Sequence, residues 1–181
     1  MLLAGVAALL YFTRQQVGGA VQQGVEDVQA ALSGWQSINQ GPVWVPVLHV
    51  AESQWGIPAD LLARVAYQES HFRSDVIDGT TASPAGALGL LQLMPAYFAS
   101  VRVSRPFTPD DTGAQIQEAA QELARLYAYY QDWGLALAAY NDGERNVDKY
   151  LAKTRALPQE TINYVSQVLA DVPISGASVP T

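Results

Sequence analysis

Apolar residues recur at intervals of three and four along most of the chain, which is the spacing of helices that bury one face. No stretch alternates with a period of two, so the pattern gives no support for a β-strand. We expect an all-α protein whose helices cover residues 44–55, 61–70, 87–100, 112–133, 135–141, 147–153 and 160–171. Pro95 should interrupt the third of these helices, and Gly134 should end the fourth.

Changes in composition divide the chain into three parts. Residues 1–43 carry only three charged side chains and precede the main helical domain, residues 44–172. Gly41-Pro42 is expected to break the helix between the two parts. Residues 173–181 are small and polar and should form a loose tail.

The first twelve residues form an uncharged apolar run, which Thr13 and Arg14 follow. A bilayer-spanning helix needs about 20 apolar residues, so this run alone is too short. It also lacks the basic start and the cleavage site of a secretory signal. Counted through to Val25, the stretch reaches a spanning length with one arginine inside it. Two interpretations stay open: a membrane anchor, or a helix buried against a partner chain.

A second apolar pattern follows, and it predicts an amphipathic helix. Its apolar residues lie on one helical face and are Val17, Val21, Val25, Val28, Leu32 and Trp35. Three glycines weaken this helix, each by about 1 kcal/mol relative to alanine. We expect the stripe to pack on a membrane, on a partner protein or on another copy of the chain. Packing on its own domain is the alternative.

Composition and charge narrow the function classes. Hydrophobic residues make up 49% of the chain and charged residues 15%, which favours a packed protein over a disordered one. The net charge of −7 does not suit a nucleic-acid binder. Cysteine is absent, which excludes disulfides and thiolate chemistry. His49 and His71 are too few for a histidine-rich metal site, so we expect surface or packing roles for them and neither a metal nor a cofactor.

Glu69 is the first candidate for chemistry. It follows Leu62, Val65 and Ala66 at the spacing i, i+3, i+4 and i+7, and therefore continues the face that the helix turns towards the core. Burial raises the pKa of a carboxyl group, so that it can hold a proton near neutral pH and act as a general acid. Taken alone, however, a buried glutamate more often has a structural partner.

Two further segments carry polar side chains in apolar surroundings: one has a polar side chain inside an apolar run, and the other has polar side chains at the end of one. Gln92 is the only polar side chain in the run from Leu88 to Met94, and a buried amide must find hydrogen-bond partners in the protein or in a ligand. Gly86 and Gly89, just before it, allow close approach of a neighbouring helix or of a substrate.

The second of these segments is the apolar helix 135–141, which ends in Tyr140 and Asn141 and suits the floor of a site. The alternative is a plain helix end that Gly143 terminates.

Together these segments resemble the soluble lytic transglycosylase (SLT) family. The resemblance lies in Glu69-Ser70, in GALGLLQLMP at residues 86–95, in Ala139-Tyr140-Asn141 and in LPQETINYV at residues 157–165, which stand in the family's order. It covers roughly residues 47–172. It implies a lysozyme-like (goose-type/SLT) helical domain, preceded here by the N-terminal apolar and amphipathic helix.

The resemblance also implies the reaction. The substrate would be peptidoglycan glycan strands, cut at the β-1,4 bond between N-acetylmuramic acid and N-acetylglucosamine. Glu69 would protonate the leaving oxygen and then accept the proton of the muramoyl C6 hydroxyl, which closes a 1,6-anhydro ring. Hydrolases commonly use two carboxyl groups. Here the substrate's own hydroxyl would replace water, so a second carboxylate is not needed. Asp75 and Asp78 are the alternative second carboxylates, although a solvated loop is the plainer interpretation.

Supporting roles follow from the same resemblance. Ser70 would hold Glu69 or the substrate, and Gln92 would bind the sugar. The remaining implied roles are groove lining by the backbone from Leu90 to Met94, a hydrogen bond near Glu69 from Tyr140, and support of the sugar and the acid by Asn141 and Tyr164.

The chain departs from the family pattern at four places. The stretch from Arg73 to Ala82 is longer than usual, which predicts a remodelled groove edge. Leu91 stands where methionine is usual. Asp142 replaces a small alanine and adds a negative charge that would influence which peptide-substituted strands bind. Gln115 stands where asparagine is common, which affects only a structural contact.

Three functions are therefore weighed. The first is a peptidoglycan lyase, the second a goose-type lysozyme hydrolase, and the third a binding or assembly protein that has lost activity. Residues 1–43 suggest delivery to a membrane or to partner proteins, as in phage entry or in an envelope-spanning secretion or conjugation complex. The expected location is the bacterial periplasm or cell envelope, with or without a membrane anchor, or a phage virion.

Overall fold

A computed structural model describes residues 34–181. In this range the chain forms a short 3₁₀ helix, Gly34–Ser37, and seven α-helices. The helices are α1 (Gly41–Trp55), α2 (Leu61–Ser70), α3 (Ser74–Ile77), α4 (Pro109–Tyr130), α5 (Trp133–Asp142), α6 (Glu144–Leu151) and α7 (Gln159–Asp171). Over these residues the prediction of an all-α fold is confirmed, since the only β-type pairing among them is one isolated bridge. None of the helices between residues 34 and 181 is long and apolar enough to cross a membrane.

Helix α5 forms the centre of the domain. It contacts α4, α6 and α7, while α1 packs against α2 and α4, and α2 also packs against α7. The segment from Ala136 to Ala139 is buried, as expected for a helix that is apolar on all sides. Because α5 runs through the core, its last turn delivers Tyr140 and Asn141 next to α7 and α2.

The prediction of a helix at residues 87–100 is wrong. This segment is a series of turns, which Leu88 and Leu93 close by exchanging two backbone hydrogen bonds of 2.9 and 3.0 Å. Gly86, Gly89 and Gln92 all have positive φ angles, which a helix does not allow. The apolar run reflects burial instead, because the leucines still point into the core.

The predicted end of the longest helix is also wrong. Helix α4 stops at Tyr130, and Gln131 caps it in the left-handed conformation with φ of 54°. Asp132 then starts α5, because its side chain accepts a hydrogen bond of 2.9 Å from the backbone N–H of Leu135. Gly134 therefore lies inside α5. Its missing side chain leaves room for the carbonyl oxygen of Ser178, which lies 1.7 Å from the place of a Cβ atom.

The amino-terminal boundary differs from the expectation as well. Gly41 and Pro42 form the first turn of α1 rather than a break, since proline is tolerated at the start of a helix. Trp35, the last member of the predicted amphipathic stripe, packs on its own domain, with ring centroids 5.8 Å from Tyr67 and 6.5 Å from Phe72. The rest of the stripe and the apolar run before it lie outside the described residues.

The carboxy-terminal tail makes more contacts than a loose segment would. Ile174, Ala177 and Val179 pack against the core. The hydroxyl of Tyr150 donates a hydrogen bond of 3.0 Å to the carbonyl oxygen of Thr181. In the structure, residues 173–181 therefore contact the start of α5 through Ser178 and the end of α6 through Tyr150, contrary to the expectation of a loose tail.

Candidate active site

Glu69 lies at the carboxy-terminal end of α2. The helix stops one residue later, because His71 and Phe72 both adopt left-handed backbone conformations. Ser70 closes this end: its hydroxyl donates to the carbonyl oxygen of Ala66 at 2.7 Å and accepts from the backbone N–H of Phe72 at 3.1 Å. The Ser70 hydroxyl is buried and fully engaged with backbone, so it does not contact Glu69 in this arrangement.

The carboxyl group of Glu69 is partly buried and has one side-chain partner. The hydroxyl of Tyr164, on α7, donates a hydrogen bond of 2.9 Å to its Oε1 atom. Burial raises the pKa of Glu69 from its ordinary 4.5 to about 7, and the Tyr164 hydrogen bond opposes this rise by stabilising the carboxylate. A group with this pKa can both give and take a proton near neutral pH.

Tyr140 reaches the site from the end of α5. Its hydroxyl donates a hydrogen bond of 2.9 Å to the carbonyl oxygen of Leu91, in the turn-rich segment that precedes Met94. Burial and the nearby negative charge of Glu69 raise the pKa of Tyr140 well above its ordinary value. Tyr140 is therefore close to Glu69, as the resemblance implied, but its hydrogen bond goes to the loop.

Asn141 is held by α7. Its Oδ1 atom accepts a hydrogen bond of 2.8 Å from the hydroxyl of Thr161, which is itself buried. This contact fixes the orientation of the Asn141 amide, which lines a cleft beside Glu69.

A cleft of about 510 Å³ opens beside Glu69, between α2, the end of α5 and α7. Its lining is mostly amide and carboxyl side chains, namely Gln68, Glu69, Asn141, Gln159, Glu160, Asn163, Tyr164 and Gln167. Glu69, Asn141 and Tyr164 were predicted from the sequence, and the structure brings them together. The other lining residues were missed. Their only sequence signal is a polar stripe along α7, which looks the same as any solvent-facing stripe.

The loop residues predicted from the second motif do not line this cleft. The Gln92 side chain is partly buried and donates a hydrogen bond of 2.9 Å to the carbonyl oxygen of Gly89, within its own turn. Leu90 is fully buried in the core, and Met94 is partly buried. The connection of this loop to the site is the bond between Tyr140 and the carbonyl oxygen of Leu91.

Other acidic groups near the motifs are already paired or point elsewhere. Asp75 lies in α3 and binds Arg73, which lowers the pKa of Asp75. Asp78 accepts hydrogen bonds from Thr80. Neither aspartate lines the cleft, and no other residue of the long stretch 73–82 does so. The second carboxylate that does line it is Glu160.

Asp142 does not add an uncompensated charge. Its carboxylate pairs with the guanidinium of Arg155, from the segment after α6, and also accepts a hydrogen bond of 3.3 Å from Asn146. The pair of Asp142 and Arg155 therefore ties the end of α5 to the chain that leads into α7.

No metal ligand set is present in the part of the chain that the structure describes: no three His, Asp or Glu side chains between residues 34 and 181 are grouped to hold an ion. His71 is exposed, and the Nε2 atom of His49 lies 2.8 Å from a carboxylate oxygen of Asp60.

Comparison with known proteins places these residues in a family context. Residues 46–163 match the model of the transglycosylase SLT domain, so the match contains Glu69 and Asn141 and ends one residue before Tyr164. A protein named transglycosylase from Enterobacteria phage PRD1 is 28% identical over 149 residues, which cover 76% of this chain and 53% of that protein. The chain thus spans about half the length of this curated relative.

Proposed function

The chain belongs to the transglycosylase SLT domain family, and from this premise we propose that it is a peptidoglycan lytic transglycosylase. The proposed reaction cuts the β-1,4 bond between N-acetylmuramic acid and N-acetylglucosamine and leaves 1,6-anhydromuramoyl ends. The observation that carries the proposal is the state of Glu69. It is a partly buried carboxyl group with a pKa of about 7 that borders a polar cleft and receives a hydrogen bond from Tyr164.

The first step needs Glu69 in its protonated form. The acid gives its proton to the glycosidic oxygen, the bond between that oxygen and C1 of the muramoyl residue breaks, and positive charge develops at C1. The leaving sugar departs as an alcohol. The Tyr164 hydroxyl then stabilises the Glu69 carboxylate by its hydrogen bond of 2.9 Å.

The second step uses the same carboxylate as a base. Glu69 takes the proton of the muramoyl C6 hydroxyl while the oxygen of that hydroxyl bonds to C1, which closes the anhydro ring. Glu69 thereby regains the proton that it gave in the first step, and no water is consumed. A pKa of about 7 suits both steps, because the acid and the base forms are both populated near neutral pH.

Glu160 favours a second candidate, a hydrolase. Inverting and retaining glycosidases use two carboxyl groups on either side of the scissile bond, and Glu160 lines the same cleft as Glu69. In that reaction a water molecule would attack C1, and the product would carry a reducing end. We rank this function second because Glu160 is exposed, whereas Glu69 has the raised pKa and the fixed hydroxyl partner.

Product analysis separates these functions. Purified sacculi are digested with the protein, and the soluble fragments are analysed by mass spectrometry. A lytic transglycosylase leaves 1,6-anhydro ends, which are lighter by one water molecule than the reducing ends left by a hydrolase. Reducing ends alone would exclude the lyase. An inactive binding protein would release no fragments. The Glu69→Gln variant is the negative control for this measurement.

We also propose that this activity opens the cell wall locally, either for a phage or for an envelope-spanning machine of a bacterium. The relative from phage PRD1 is named a transglycosylase, which supports the phage setting. Attachment to a membrane or to partner proteins through residues 1–43 remains part of this proposal. Detergent dependence of the full-length protein, compared with a variant that lacks residues 1–33, tests the attachment.

A further inference from the structure

One wall of the cleft is a row of amide side chains on α7. Gln159, Asn163 and Gln167 follow one another at intervals of four, so they lie on one face of the helix, and all three line the cleft. At 1.5 Å per residue, the row extends over about 12 Å. It therefore borders the cleft over a length that exceeds one sugar unit or one amino acid.

The row is connected by hydrogen bonds and is tied to α2 at Gln167. The Nε2 group of Gln159 donates a hydrogen bond of 3.0 Å to Oδ1 of Asn163. Gln68, on α2, donates from its Nε2 group to Oε1 of Gln167, also at 3.0 Å. The buried Arg64 donates in turn to Oε1 of Gln68 at 2.9 Å, so this chain of amides is anchored in the domain.

These contacts leave hydrogen-bonding groups of both kinds on the cleft side. Among the described residues, the Oε1 atom of Gln159, the Nδ2 group of Asn163 and the Nε2 group of Gln167 have no protein partner. The row therefore offers an acceptor on Gln159 and donors on Asn163 and Gln167, and an amide-bearing ligand can use groups of both kinds.

The charge of the lining points to the same kind of ligand. Its charged members are the carboxyl groups of Glu69 and Glu160, and none of the residues that line it is basic. A ligand carboxylate would find no cation here and would be repelled. An uncharged amide, in contrast, can exchange its hydrogen bonds with water for hydrogen bonds with the row.

We propose that the row of Gln159, Asn163 and Gln167 binds the amide-bearing part of the substrate beside Glu69. This inference rests on the proposed function for the identity of the substrate. In peptidoglycan, such amides occur in two places: the acetamido groups of the sugars, and the peptide bonds of the stem peptide on muramic acid. Both present the same N–H and C=O groups, and two probes distinguish them.

Binding is measured in the Glu69→Gln background, which keeps the ligand intact. One probe is a β-1,4-linked tetrasaccharide of N-acetylglucosamine, which has acetamido groups and no peptide. The other is a disaccharide that carries a stem tetrapeptide whose carboxyl groups are amidated, so that it presents amides without negative charge. The variant is the triple substitution of Gln159, Asn163 and Gln167 by alanine. The controls are Ser166→Ala, an exposed residue of α7 outside the cleft lining, and Gln54→Ala, an exposed amide on α1.

The triple substitution should weaken binding of at least one probe about tenfold or more, because each amide hydrogen bond contributes a few-fold to affinity. Neither control should change affinity by more than about twofold. Loss of tetrasaccharide binding would assign the row to the glycan, and loss confined to the muropeptide would assign it to the stem peptide. If the folded triple variant bound both probes as tightly as its parent, the inference would be overturned.

Cleavage of sacculi by the protein with Glu69 intact is measured separately. Cleavage together with unchanged binding by the triple variant contradicts only the role of the row. Binding that depends on the row, without any cleavage, contradicts only the proposed reaction.

Discussion

The hydroxyl of Tyr164 donates a hydrogen bond of 2.9 Å to Oε1 of Glu69, although the two residues are 95 positions apart. Burial of Glu69 favours its protonated form, and this hydrogen bond favours the carboxylate. The two effects together leave the pKa at about 7. The working range of the proposed acid is therefore set by a contact between α2 and α7.

Replacing Tyr164 with phenylalanine should raise the pKa of Glu69, because the carboxylate loses its hydroxyl donor. A hydrogen bond to a charged group is worth about 1.5 kcal/mol or more, which corresponds to roughly one pKa unit. Since the protonated acid starts the proposed reaction, the alkaline limb of kcat/KM should move to higher pH by about one unit. The measurement is a pH–rate profile on soluble glycan strands. Tyr150→Phe, whose hydroxyl binds Thr181, is the control, and an unmoved limb in Tyr164→Phe would contradict this account.

Glu69 should also make the protein less stable at alkaline pH. Its folded-state pKa of about 7 lies above the ordinary 4.5, so the folded state binds the proton more tightly than the unfolded state does. Stability from this group is full below pH 4.5 and is lost as the pH rises to about 7, by up to about 3 kcal/mol. Glu69→Gln should therefore be more stable than the parent at pH 8, with a smaller difference at pH 4.5.

Urea unfolding of both proteins at these two pH values tests this prediction. Glu52 has a pKa raised to about 8 by burial and contributes in an overlapping range, but it is present in both proteins and cancels in the comparison. The same stability difference at both pH values would show that Glu69 is not the group that titrates.

Gly89 and Gly86 should respond differently to substitution by alanine. Both have positive φ angles, 79° and 86°, so alanine is strained at either place. At Gly89 a Cβ atom would also lie 2.0 Å from Oε1 of the buried Gln115, whereas at Gly86 nothing lies within 4 Å. We expect a loss of about 1 kcal/mol for Gly86→Ala and about 3 kcal/mol for Gly89→Ala. Equal losses in thermal unfolding would show that the contact with Gln115 is unimportant.

Replacing the side chain of Gln115 should increase the stability of the protein. Its side chain is completely buried, and among the described residues neither its oxygen nor its nitrogen has a hydrogen-bond partner. An unsatisfied buried polar group costs about 1–3 kcal/mol. Gln115→Met keeps the length of the side chain and removes the polar atoms, so the free energy of unfolding should rise by about 1 kcal/mol or more. The exposed Gln54→Met is the control, and a destabilised Gln115→Met protein would imply that the amide has a partner, such as a buried water molecule.

The sequence predicted the residues around Glu69 better than it predicted the loop before Met94. Helical spacing indicated Glu69, and two motifs of the family resemblance indicated Tyr140, Asn141 and Tyr164. All four residues lie on helices of the structure. The sequence wrongly predicts a helix at residues 87–100, because a buried run of leucines has the same pattern in a helix and in a set of packed turns. The positive φ angles of Gly89 and Gln92 and the paired backbone hydrogen bonds of Leu88 and Leu93 distinguish the two.

The amide row and the lack of a hydrogen-bond partner at Gln115 could not be predicted from the sequence, for a different reason. A polar stripe on a helix does not reveal whether it faces open solvent or a cleft, because this depends on the packing of α2 against α7. The absence of a partner for a buried amide depends on every neighbour at once. Both features are properties of tertiary packing rather than of local pattern.

Tyr140→Phe separates support of the loop from tuning of the acid. The Tyr140 hydroxyl donates to the carbonyl oxygen of Leu91, so its removal leaves that carbonyl without this donor and should lower the free energy of unfolding by about 1–3 kcal/mol. Because the hydroxyl does not bind Glu69, the alkaline limb of the pH–rate profile should stay in place, unlike that of Tyr164→Phe. Thermal unfolding and the pH–rate profile of the two variants provide the comparison. A limb that moves as far in Tyr140→Phe as in Tyr164→Phe would mean that the Tyr140 hydroxyl also stabilises the Glu69 carboxylate in the free enzyme, and would contradict this separation of roles.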